Sequence, residues 1–598
     1  NPTLSPLPTA TVTATAKGQT ASLMLQLTTP TVPNGVIGGL KSAAQVYTDA
    51  QDIPHVFCGD PLDCFAVQGY LQARDRLFQM DLFRRTARGQ LAALVGPLEV
   101  SSDKQFLTLF TTRDGKKIED QLVLALDLDL ATKAKLVAFC SGVNAYLTYL
   151  KANPTLMPGE YAQIAAGLTP NDIPDWMPAD TLAVGRLQQF GLSETIEKEV
   201  AYGLFAKTFA PAAAGGVHPD PGRFAAYVRA KQPLAGYTLS LSDSGLPPPS
   251  APPGGAGGSA IAPPDLSRWT PGLSQVHADM QGMRALFGTI KSGAGSNNWV
   301  VDGGHSATGK AMAANDPHLP LQYPPLFHLA ALTSQDGTLN LAGGSFPGVP
   351  GALVGRGAHV GWGVTVVGYD VTDVYLETLT NCAGTPLFCS TVSFNGANVA
   401  ITLVPYTIKV RGAADQIVKV LVVPHHGPII NYDPANASAL SVRWTGHEVT
   451  QDLKAFLDLN VATSVGDASA AAGTAFAALK NYAIGAQNFV LADDQGNIGY
   501  DPHALVPKRG WSGAHPTEVP WFPLPGDGTA EWGSGVPANN CAGTGSNAPL
   551  IPGPCWVDDS VLPQGVNPAK GYYATANSDP AGYTNTNDPF NTPAIAGG

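Results

Sequence analysis

Charged side chains are scarce in this 598-residue chain. Asp, Glu, Lys and Arg make up 13% of it, about half of the ~25% that is usual in soluble proteins. The net charge is −12, and nowhere are Lys and Arg concentrated enough to favour binding to nucleic acid. No apolar run reaches the ~20 residues of a membrane-spanning helix. The composition therefore argues against a nucleic-acid-binding or membrane-spanning protein, and the length suggests several domains.

Several common catalytic motifs are also missing. No Gly-x-Ser-x-Gly sequence occurs, which argues against an α/β-hydrolase, and His447-Glu448 lacks the second histidine of a zincin. Residues 304–310 resemble a phosphate-binding loop, but Ala311 stands where that loop needs Ser or Thr, so a hairpin turn is the simpler interpretation. His425-His426 suggests metal binding, yet we interpret it as a turn that ends a strand. A Ser-His-Asp triad stays open, because those residue types are plentiful.

Cysteine is infrequent, with seven in the whole chain and no Cys-x2-Cys spacing, which disfavours a zinc site. Six of the seven form closely spaced pairs in turn-like sequence, namely Cys58 with Cys64, Cys382 with Cys389, and Cys541 with Cys555. Such pairs indicate local disulfides, although spacing alone does not establish connectivity. Cys140 lies in an apolar helical stretch and is predicted to be a buried free thiol. Disulfides predict a periplasmic or secreted protein.

Patterning divides the chain into four regions. Residues 1–44 form a tail with a first strand region, and residues 45–238 are mainly helical in pattern. Residues 239–295 are rich in Pro and Gly and are predicted to be a linker or removable spacer. Residues 296–598 are rich in β pattern.

Individual elements can be predicted within these regions. A helix over residues 63–96 would begin at Asp63 as its N-cap and end at Gly96. Further helices are predicted over residues 131–150 and 182–205. The predicted strands cover residues 298–302, 310–315, 401–410, 417–423 and 489–491.

The sequence Gly295-Ser296-Asn297-Asn298-Trp299-Val300-Val301 joins a small residue and a serine to an extended apolar segment. If the Gly295–Ser296 bond broke, Ser296 would carry both a hydroxyl nucleophile and a free α-amine. A serine hydroxyl needs an adjacent base, and an α-amine, with an ordinary pKa near 8, can accept its proton directly or through one water. The glycine leaves room for attack on the preceding carbonyl. Serine beside glycine usually indicates only a turn, so the rest of the chain decides between the two interpretations.

The sequence from Ser296 to Trp299 resembles the processed N-terminus in the penicillin acylase family of N-terminal-nucleophile amidohydrolases. Other segments resemble motifs of that family and follow in its order, so the resemblance covers roughly residues 45–598 apart from a low-complexity insert. These segments are residues 63–70, 72–81, 84–85, 89–92, 315–319, 347–348, 361–363, 488–493, 496–500 and 567–572.

The resemblance implies an α+β fold of N-terminal-nucleophile type, a four-layer αββα sandwich of two antiparallel sheets with a mainly helical N-terminal portion. Ser296 would lie at a strand end between the sheets. The family also implies cleavage of one precursor into an α/β heterodimer. Family members generally continue beyond the position of Gly598, so the C-terminal part of the family fold is expected to be missing.

The resemblance also implies site residues. The backbone N–H of Val366, which follows Gly361-Trp362-Gly363, and the side-chain amide of Asn577 would bind the oxyanion. His318 stands where the family has glutamine or histidine, and histidine resembles the cephalosporin, acyl-homoserine-lactone and aculeacin (lipopeptide) acylases. It would hydrogen-bond Ser296 and orient the hydroxyl, or else be a structural histidine. No later carboxylate can be assigned as its partner.

A structural Ca²⁺ ion is implied in the same way, because carboxylate and carbonyl oxygens are ligands that suit Ca²⁺. Glu197 is the least secure ligand, since Glu194 lies one turn away, and solvated surface acids are the alternative. The implied ligands are Glu197, Asp370, Thr372 through its carbonyl, Asp373, Pro520 and Asp588.

We therefore expect an exported amidohydrolase that cleaves an acyl group from an amine without an organic cofactor. Ser296 would attack the amide, its α-amine would shuttle the proton, and water would release the acyl group. The candidate substrates are β-lactam side chains, acyl-homoserine lactones and lipopeptides. The alternative is an uncleaved, inactive relative that serves as a surface or assembly component.

Overall fold

A computed structural model describes residues 9–16, 19–26, 37–193, 195–210, 265–287, 295–319, 322–466, 471–509, 522–533, 556–557 and 562–577. Helices and strands are both abundant in these ranges, and most strand pairs are antiparallel. The α+β prediction is therefore confirmed at this level. No helix in the described ranges combines the length and the apolar character needed to cross a bilayer.

The portion before Ser296 is mainly helical, as predicted. Its helices are α1 (Pro61–Ala87), α2 (Ala92–Val95), α3 (Val100–Leu109), α4 (Ile118–Ala125), α5 (Leu130–Ala152), α6 (Glu160–Ile164), α7 (Pro178–Ser193), α8 (Ile196–Lys207) and α9 (Thr270–Phe287). Helices α1 and α5 touch backbone to backbone, since a Cβ added at Gly142 would lie 1.7 Å from the carbonyl oxygen of Ala66. The predicted helix over residues 131–150 corresponds to α5.

The boundaries of two predicted helices differ from the prediction. The N-cap of α1 is Asp60, whose carboxylate accepts a hydrogen bond from Leu62 N–H (2.8 Å) ahead of a proline at the first turn. Asp63 instead accepts hydrogen bonds from the backbone N–H groups of Lys41 and Ser42. The predicted helix also breaks after Ala87, and the one predicted over residues 182–205 is divided between α7 and α8.

The described part of residues 239–295 corrects the predicted spacer. Residues 265–287 contain helix α9, and Leu273 and Val276 on its inner face are buried in the main hydrophobic core. In this segment the helical spacing of the apolar residues favours a helix more strongly than the nearby Pro and Gly oppose it. The Pro/Gly-rich sequence before residue 265 lies outside the described residues.

Among the described residues, four strands precede Ser296, namely β1 (Thr9–Ala16), β2 (Gln19–Gln26), β3 (Gln45–Thr48) and β4 (Pro54–Cys58). Strands β1 and β2 pair with each other. All five predicted strands lie after α9, where they correspond to β5, β6, β14, β15 and β18. The described part of this region also contains two helices. The strands and helices of this region are β5 (Ser296–Val301), β6 (Met312–Pro317), β7 (His328–Ser334), β8 (Asn340–Ser345), β9 (Val354–Arg356), β10 (Val360–Val366), β11 (Thr372–Ala383), β12 (Phe388–Phe394), β13 (Ala397–Ala400), β14 (Thr402–Ile408), β15 (Gln416–Val423), β16 (Gly427–Asp433), β17 (Ser438–Trp444), α10 (Asp452–Leu459), α11 (Ala475–Leu479), β18 (Gln487–Asp493), β19 (Ile498–His503), β20 (Leu524–Pro525), β21 (Gly565–Val566) and β22 (Tyr572–Thr575).

Three sheets organise the described part of the chain from Ser296 onward. A nine-stranded sheet has the order β21-β19-β18-β10-β9-β8-β7-β4-β3. A second, eight-stranded sheet has the order β13-β12-β11-β17-β16-β15-β14, with β20 paired to β11. A three-stranded sheet, β22-β5-β6, begins at Ser296. Because β4 pairs in parallel with β7, with His55 opposite Ala331, the helical portion contributes two strands to the nine-stranded sheet. The segments on either side of Ser296 therefore share one core.

Two of the three predicted disulfides, Cys58–Cys64 and Cys382–Cys389, are present. Cys541 and Cys555 lie outside the described residues. Cys140 is a buried free thiol, as predicted, and burial raises its pKa to about 12. This thiol is therefore unreactive near neutral pH.

Candidate active site

A cavity of about 610 Å³ lies beside the first residue of β5, within the size range of small-molecule sites. Helices from the first portion and strands from the second both contribute to its wall. Ser296 lines the cavity together with mostly apolar side chains, including Phe83, Phe106, Leu122, Leu182, Leu187, Phe190, Met280, Leu326, Phe346, Val349, Leu353 and Phe456. Its wall therefore favours an apolar group next to the Ser296 hydroxyl.

Strand register explains why distant residues meet at this cavity. Strand β5 lies between β22 and β6, with Thr575 opposite Asn298 and Pro317 opposite Ser296. The chain therefore leaves β22 toward Ser296 and reaches Asn577 two residues later. Asn577 has a φ of 58°, a left-handed conformation that asparagine tolerates better than most residues.

Three of the residues predicted for catalysis line the cavity together, namely Ser296, Val366 and Asn577. The backbone N–H of Ser296 donates a hydrogen bond to Oδ1 of Asn577. The Asn577 side-chain N–H in turn donates to the carbonyl oxygen of Val366 (3.1 Å). The amide of Asn577 therefore connects the serine to the end of β10.

The Gly295–Ser296 peptide group is held on both sides. The carbonyl oxygen of Gly295 accepts a hydrogen bond from the backbone N–H of His318 (3.0 Å), while the N–H of Ser296 contacts Asn577. A Cβ at position 295 would lie 3.0 Å from Oδ1 of Asn577. Glycine is therefore favoured at this position, because a larger residue would push against the asparagine.

The His318 side chain points elsewhere. Its Nε2 lies 3.1 Å from Oδ2 of Asp316, and 44% of the side chain is exposed. The group that His318 presents at the scissile bond is thus its backbone N–H, and the hydrogen bond from its ring to the Ser296 hydroxyl stays a prediction. Sequence reasoning looked for a later carboxylate and missed Asp316, although alternate residues of a strand share one face.

Buried Asn488 supports the strand ends around the serine. Its side-chain N–H groups donate to the carbonyl oxygen of Val366 and to Oγ1 of Thr575, each at 3.2 Å. Its Oδ1 accepts a hydrogen bond from the Tyr500 hydroxyl (2.5 Å). Asn488 therefore connects β18 with β10 and β22, and its partners on those two strands lie far from it in sequence.

A second asparagine, Asn315, joins β6 to β10. Its Oδ1 accepts from Val364 N–H and its Nδ2 donates to Val364 O, each at 3.1 Å. Asn298 on β5 adds a contact to the carbonyl oxygen of Asn488 (3.3 Å). Sequence matching singled out these asparagines without a role, and their contacts show that they position the sheet that begins at Ser296.

Three of the predicted calcium ligands lie together between β10 and the start of β11. Asp370, Thr372 and Asp373 are all buried. The guanidinium of Arg509 donates to Oδ2 of Asp373 (2.8 and 3.0 Å) and lies 3.3 Å from Oδ1 of Asp370. Pro520 and Asp588 lie outside the described residues.

The acid that joins this group is Glu199 rather than Glu197. Glu199 is buried and accepts hydrogen bonds from Thr195 Oγ1 and Val374 N–H, each at 2.7 Å. Burial first, and then Asp370 and Asp373, raise its pKa well above the usual range. Glu197, two residues earlier on α8, lines the cavity instead. The two residues therefore face different surroundings.

The composition of this acidic group fits a hard cation. Asp370, Asp373 and Glu199 bring three carboxylates into a buried region where Arg509 contacts two of them. Carboxylate oxygens with a backbone carbonyl form a donor set that suits Ca²⁺. The bound ion itself stays a prediction, with Glu199 as a better candidate ligand than Glu197.

Comparison with known families and proteins gives one consistent result. A family model described as penicillin amidase matches residues 43–594. Penicillin acylase 2 proenzyme of Pseudomonas sp. (strain SE83) is 28% identical over 91% of this chain. Acyl-homoserine lactone acylase QuiP of Pseudomonas aeruginosa is 26% identical over 80% of it, and penicillin G acylase of Escherichia coli is 25% identical over 94%.

The matched regions are only part of those relatives. The chain covers 59% of the Pseudomonas penicillin acylase, 52% of the QuiP protein and 62% of the E. coli protein. Among solved structures, a thermostable penicillin G acylase from Alcaligenes faecalis aligns with a TM-score of 0.38 and 25% identity, over 48% of this chain and 44% of that one.

Proposed function

This chain belongs to the penicillin amidase family, and we propose that it is an acylase that hydrolyses acyl-amides with Ser296 as an N-terminal nucleophile. One observation carries the proposal: the Gly295–Ser296 peptide group and the side chain of Asn577 contact each other in the wall of an apolar cavity. A serine that merely formed a turn would have no need of either the cavity or the asparagine.

The first step is cleavage of the chain by its own serine. The Ser296 hydroxyl attacks the Gly295 carbonyl, the C–N bond breaks, and the α-nitrogen of Ser296 leaves as an amine after gaining a proton. Water then hydrolyses the resulting ester. The hydrogen bond from His318 N–H to the Gly295 oxygen (3.0 Å) supports this step, because that oxygen bears the negative charge of the tetrahedral intermediate.

The second reaction uses the amine that cleavage exposes. The Ser296 amine accepts the hydroxyl proton, directly or through one water, while the hydroxyl oxygen attacks the substrate amide. The amide of Asn577 and the backbone N–H of Val366 stabilise the oxyanion. The amine product leaves with the proton, and water hydrolyses the acyl-enzyme. Loss of one oxyanion donor typically costs about 2.7–4 kcal/mol.

The lining of the cavity supports an apolar acyl group as the substrate portion next to Ser296. Its wall is formed by Phe, Leu, Met and Val side chains, and the relatives are named for penicillin and for acyl-homoserine lactones. Both compound types are amides with an acyl side chain. We therefore propose an acyl-amide substrate and leave the amine portion unassigned.

Further features of the family enter the same proposal. The nine-stranded sheet and the three-stranded sheet that begins at Ser296, which share a buried core of Val300, Tyr573, Val490, Ile498 and Tyr500, would be the two inner layers of an αββα sandwich, and cleavage would give an α/β heterodimer. The two disulfides support export to an oxidising compartment, the periplasm or the exterior. A structural Ca²⁺ ion would be held by Asp370, Thr372 and Asp373, with Glu199 in place of Glu197.

A hydrolysis assay tests the function. Purified protein is incubated with amides of short, long and aromatic acyl groups, and the released amine is quantified. We expect turnover of at least one amide by the wild type and none by Ser296→Ala. Equal turnover by the two proteins would contradict the mechanism, and no turnover of any amide would favour the inactive relative considered above.

A further inference from the structure

A second cluster of reactive side chains lies on the eight-stranded sheet, apart from the strands that carry Ser296. Glu377 is on β11, and His425 and His426 form the turn between β15 and β16. The turn interpretation of these histidines is therefore confirmed, but it is incomplete. One potential ligand atom from each of the three residues lies within 4.8 Å of the other two.

His426 is fixed at the centre of this cluster. It is fully buried, and its ring stacks on Tyr375 with 3.6 Å between ring centroids. Its Nδ1 lies 2.6 Å from Oε1 of Glu377, and its Nε2 lies 2.6 Å from Oε1 of Glu531. Burial alone would lower the pKa of His426, but Glu377 and Glu531 outweigh it and raise the pKa.

Two buried atoms of the cluster have no hydrogen-bond partner within the described part of the chain, Oε2 of Glu377 and Nε2 of His425. A buried polar atom without a partner costs roughly 1–3 kcal/mol. A positive ion between these residues would satisfy both atoms. A neutral imidazole has one ring nitrogen whose lone pair can bind such an ion.

We propose that Glu377, His425 and His426 bind a divalent transition-metal ion, for which zinc is the best match. Imidazole nitrogens and a carboxylate oxygen suit Zn²⁺, whereas Ca²⁺ prefers oxygen ligands. Ligands of a tetrahedral zinc ion lie about 3.4 Å apart at the usual bond lengths. The ion therefore takes the place of the proton between Nδ1 of His426 and Oε1 of Glu377, which lie 2.6 Å apart. Binding increases the distance between these two atoms by somewhat less than 1 Å.

The surroundings supply the outer contacts that zinc-binding histidines need. A histidine that binds zinc through one nitrogen usually donates its other N–H to a carboxylate, and Glu531 is in that position for Nε2 of His426. Glu531 is itself 3.5 Å from Nη1 of Arg443. The Ser441 hydroxyl donates to Oε1 of Glu377 (2.6 Å). Glu377 and His426 are thus held in place from the outside.

Gly526 leaves room for the carboxylate of Glu377. A Cβ at position 526 would lie 2.7 Å from Oε2 of Glu377, so any larger residue would push that oxygen out of place. His425 is partly exposed at the turn, which gives an ion a route from solvent to the cluster.

Zinc titration of the full, untagged chain tests the proposal. The protein is stripped of metal with a chelator and saturated with Ca²⁺, so that the expected calcium ligands do not compete, and Zn²⁺ binding is followed by calorimetry. We expect one zinc per chain and at least a tenfold loss of affinity in His425→Ala. The matched control is His359→Ala, which removes a half-exposed histidine that pairs with Asp494 and should bind zinc as the wild type does.

A second variant keeps the test decisive if the turn does not tolerate alanine. Glu531→Gln preserves the shape of the outer residue, and we expect roughly tenfold weaker binding with an unchanged circular dichroism spectrum. The proposal is wrong if the wild type binds no zinc, or if a folded His425→Ala or Glu531→Gln protein binds it as tightly as the wild type. Because activity is not measured, this result is independent of the acylase proposal.

Discussion

The carbonyl oxygen of Gly295 accepts a hydrogen bond from the backbone N–H of His318, with 3.0 Å between the two atoms. This pairing continues the ladder between β5 and β6 by one step beyond Ser296 and Pro317. The carbonyl that must be attacked in self-cleavage is therefore bound to a donor before the reaction begins. The donor is part of the backbone, so it does not depend on the side chain at position 318.

This relationship separates two roles of position 318. His318→Ala keeps the N–H, and we expect its self-cleavage to slow by less than about tenfold, or 1.4 kcal/mol. His318→Pro removes the donor and should slow cleavage by about 10²–10³. Intact-mass spectrometry over time measures both rates. A severe cleavage defect in His318→Ala would show instead that the imidazole is the group that matters.

The contact between Gly295 and Asn577 predicts a steric requirement. A Cβ at position 295 would lie 3.0 Å from Oδ1 of Asn577, so Gly295→Val should displace the asparagine and slow self-cleavage. Gly282→Val is the matched control, because an added Cβ there meets no atom within 4 Å. Gel electrophoresis of the two variants after the same incubation compares them. Cleavage of Gly295→Val at the control rate would rule out this requirement.

The two ends of the Asn577 amide have different roles. Its oxygen accepts from Ser296 N–H in the uncleaved chain, whereas its N–H groups are the proposed oxyanion donors. Asn577→Asp keeps the acceptor and loses the donor, so the variant should still be cleaved but should lose about 10²–10³ in kcat. N-terminal sequencing and steady-state kinetics measure the two effects. Wild-type kcat in a cleaved Asn577→Asp protein would contradict the assignment.

Calcium should stabilise the fold through Glu199 and not through Glu197. An ion at 100 times its Kd adds about 2.7 kcal/mol to the free energy of unfolding, which appears as a rise in Tm when Ca²⁺ is added. We expect that rise to be lost in Glu199→Gln and kept in Glu197→Gln, by differential scanning fluorimetry after chelation. The reverse pattern would restore Glu197 as the ligand.

The size of the acyl group can be limited at Gly185. This residue lines the cavity in the interior of α7, and an added Cβ there meets no atom within 4 Å. Gly185→Leu should fit into the helix and reduce the free volume, so kcat/KM should fall more for long acyl groups than for short ones. Gly282→Leu, on the exposed side of α9, is the control. An unchanged ratio of long to short substrates would mean that this part of the cavity does not bind the acyl group.

Local sequence patterns were sufficient for much of this fold. The helix α5, five strands of the second portion and two disulfides follow from periodicity and spacing within short segments, whereas the α+β class follows from the resemblance to the penicillin acylase family. Helix α9 was missed because its apolar spacing begins close to a Pro/Gly-rich stretch. Asp60 and Asp63 are acidic residues in the same turn, so sequence alone does not tell which one caps α1, and only the contacts of Asp63 with Lys41 and Ser42 distinguish them.

The site was predictable to the extent that it depends on motifs. Ser296, Val366 and Asn577 were named from their matching segments, and they do line one cavity. The side chains of Glu197 and Glu199 point in directions about 200° apart around a helix. Which of the two faces Asp370 and Asp373 therefore depends on how α8 is rotated against β11. The role of Asn488 and the position of the His318 N–H depend on strand pairing across long stretches of chain, which no local pattern records.

The account depends most on cleavage of the chain by Ser296, and the masses and N-termini of the purified protein test this directly. We expect the wild type to yield a fragment that begins Ser-Asn-Asn-Trp, and we expect Ser296→Ala to remain joined at that bond under the same conditions. A wild-type chain that stays uncleaved while it hydrolyses amides, or a Ser296→Ala chain that is cut at the same bond, would contradict the account.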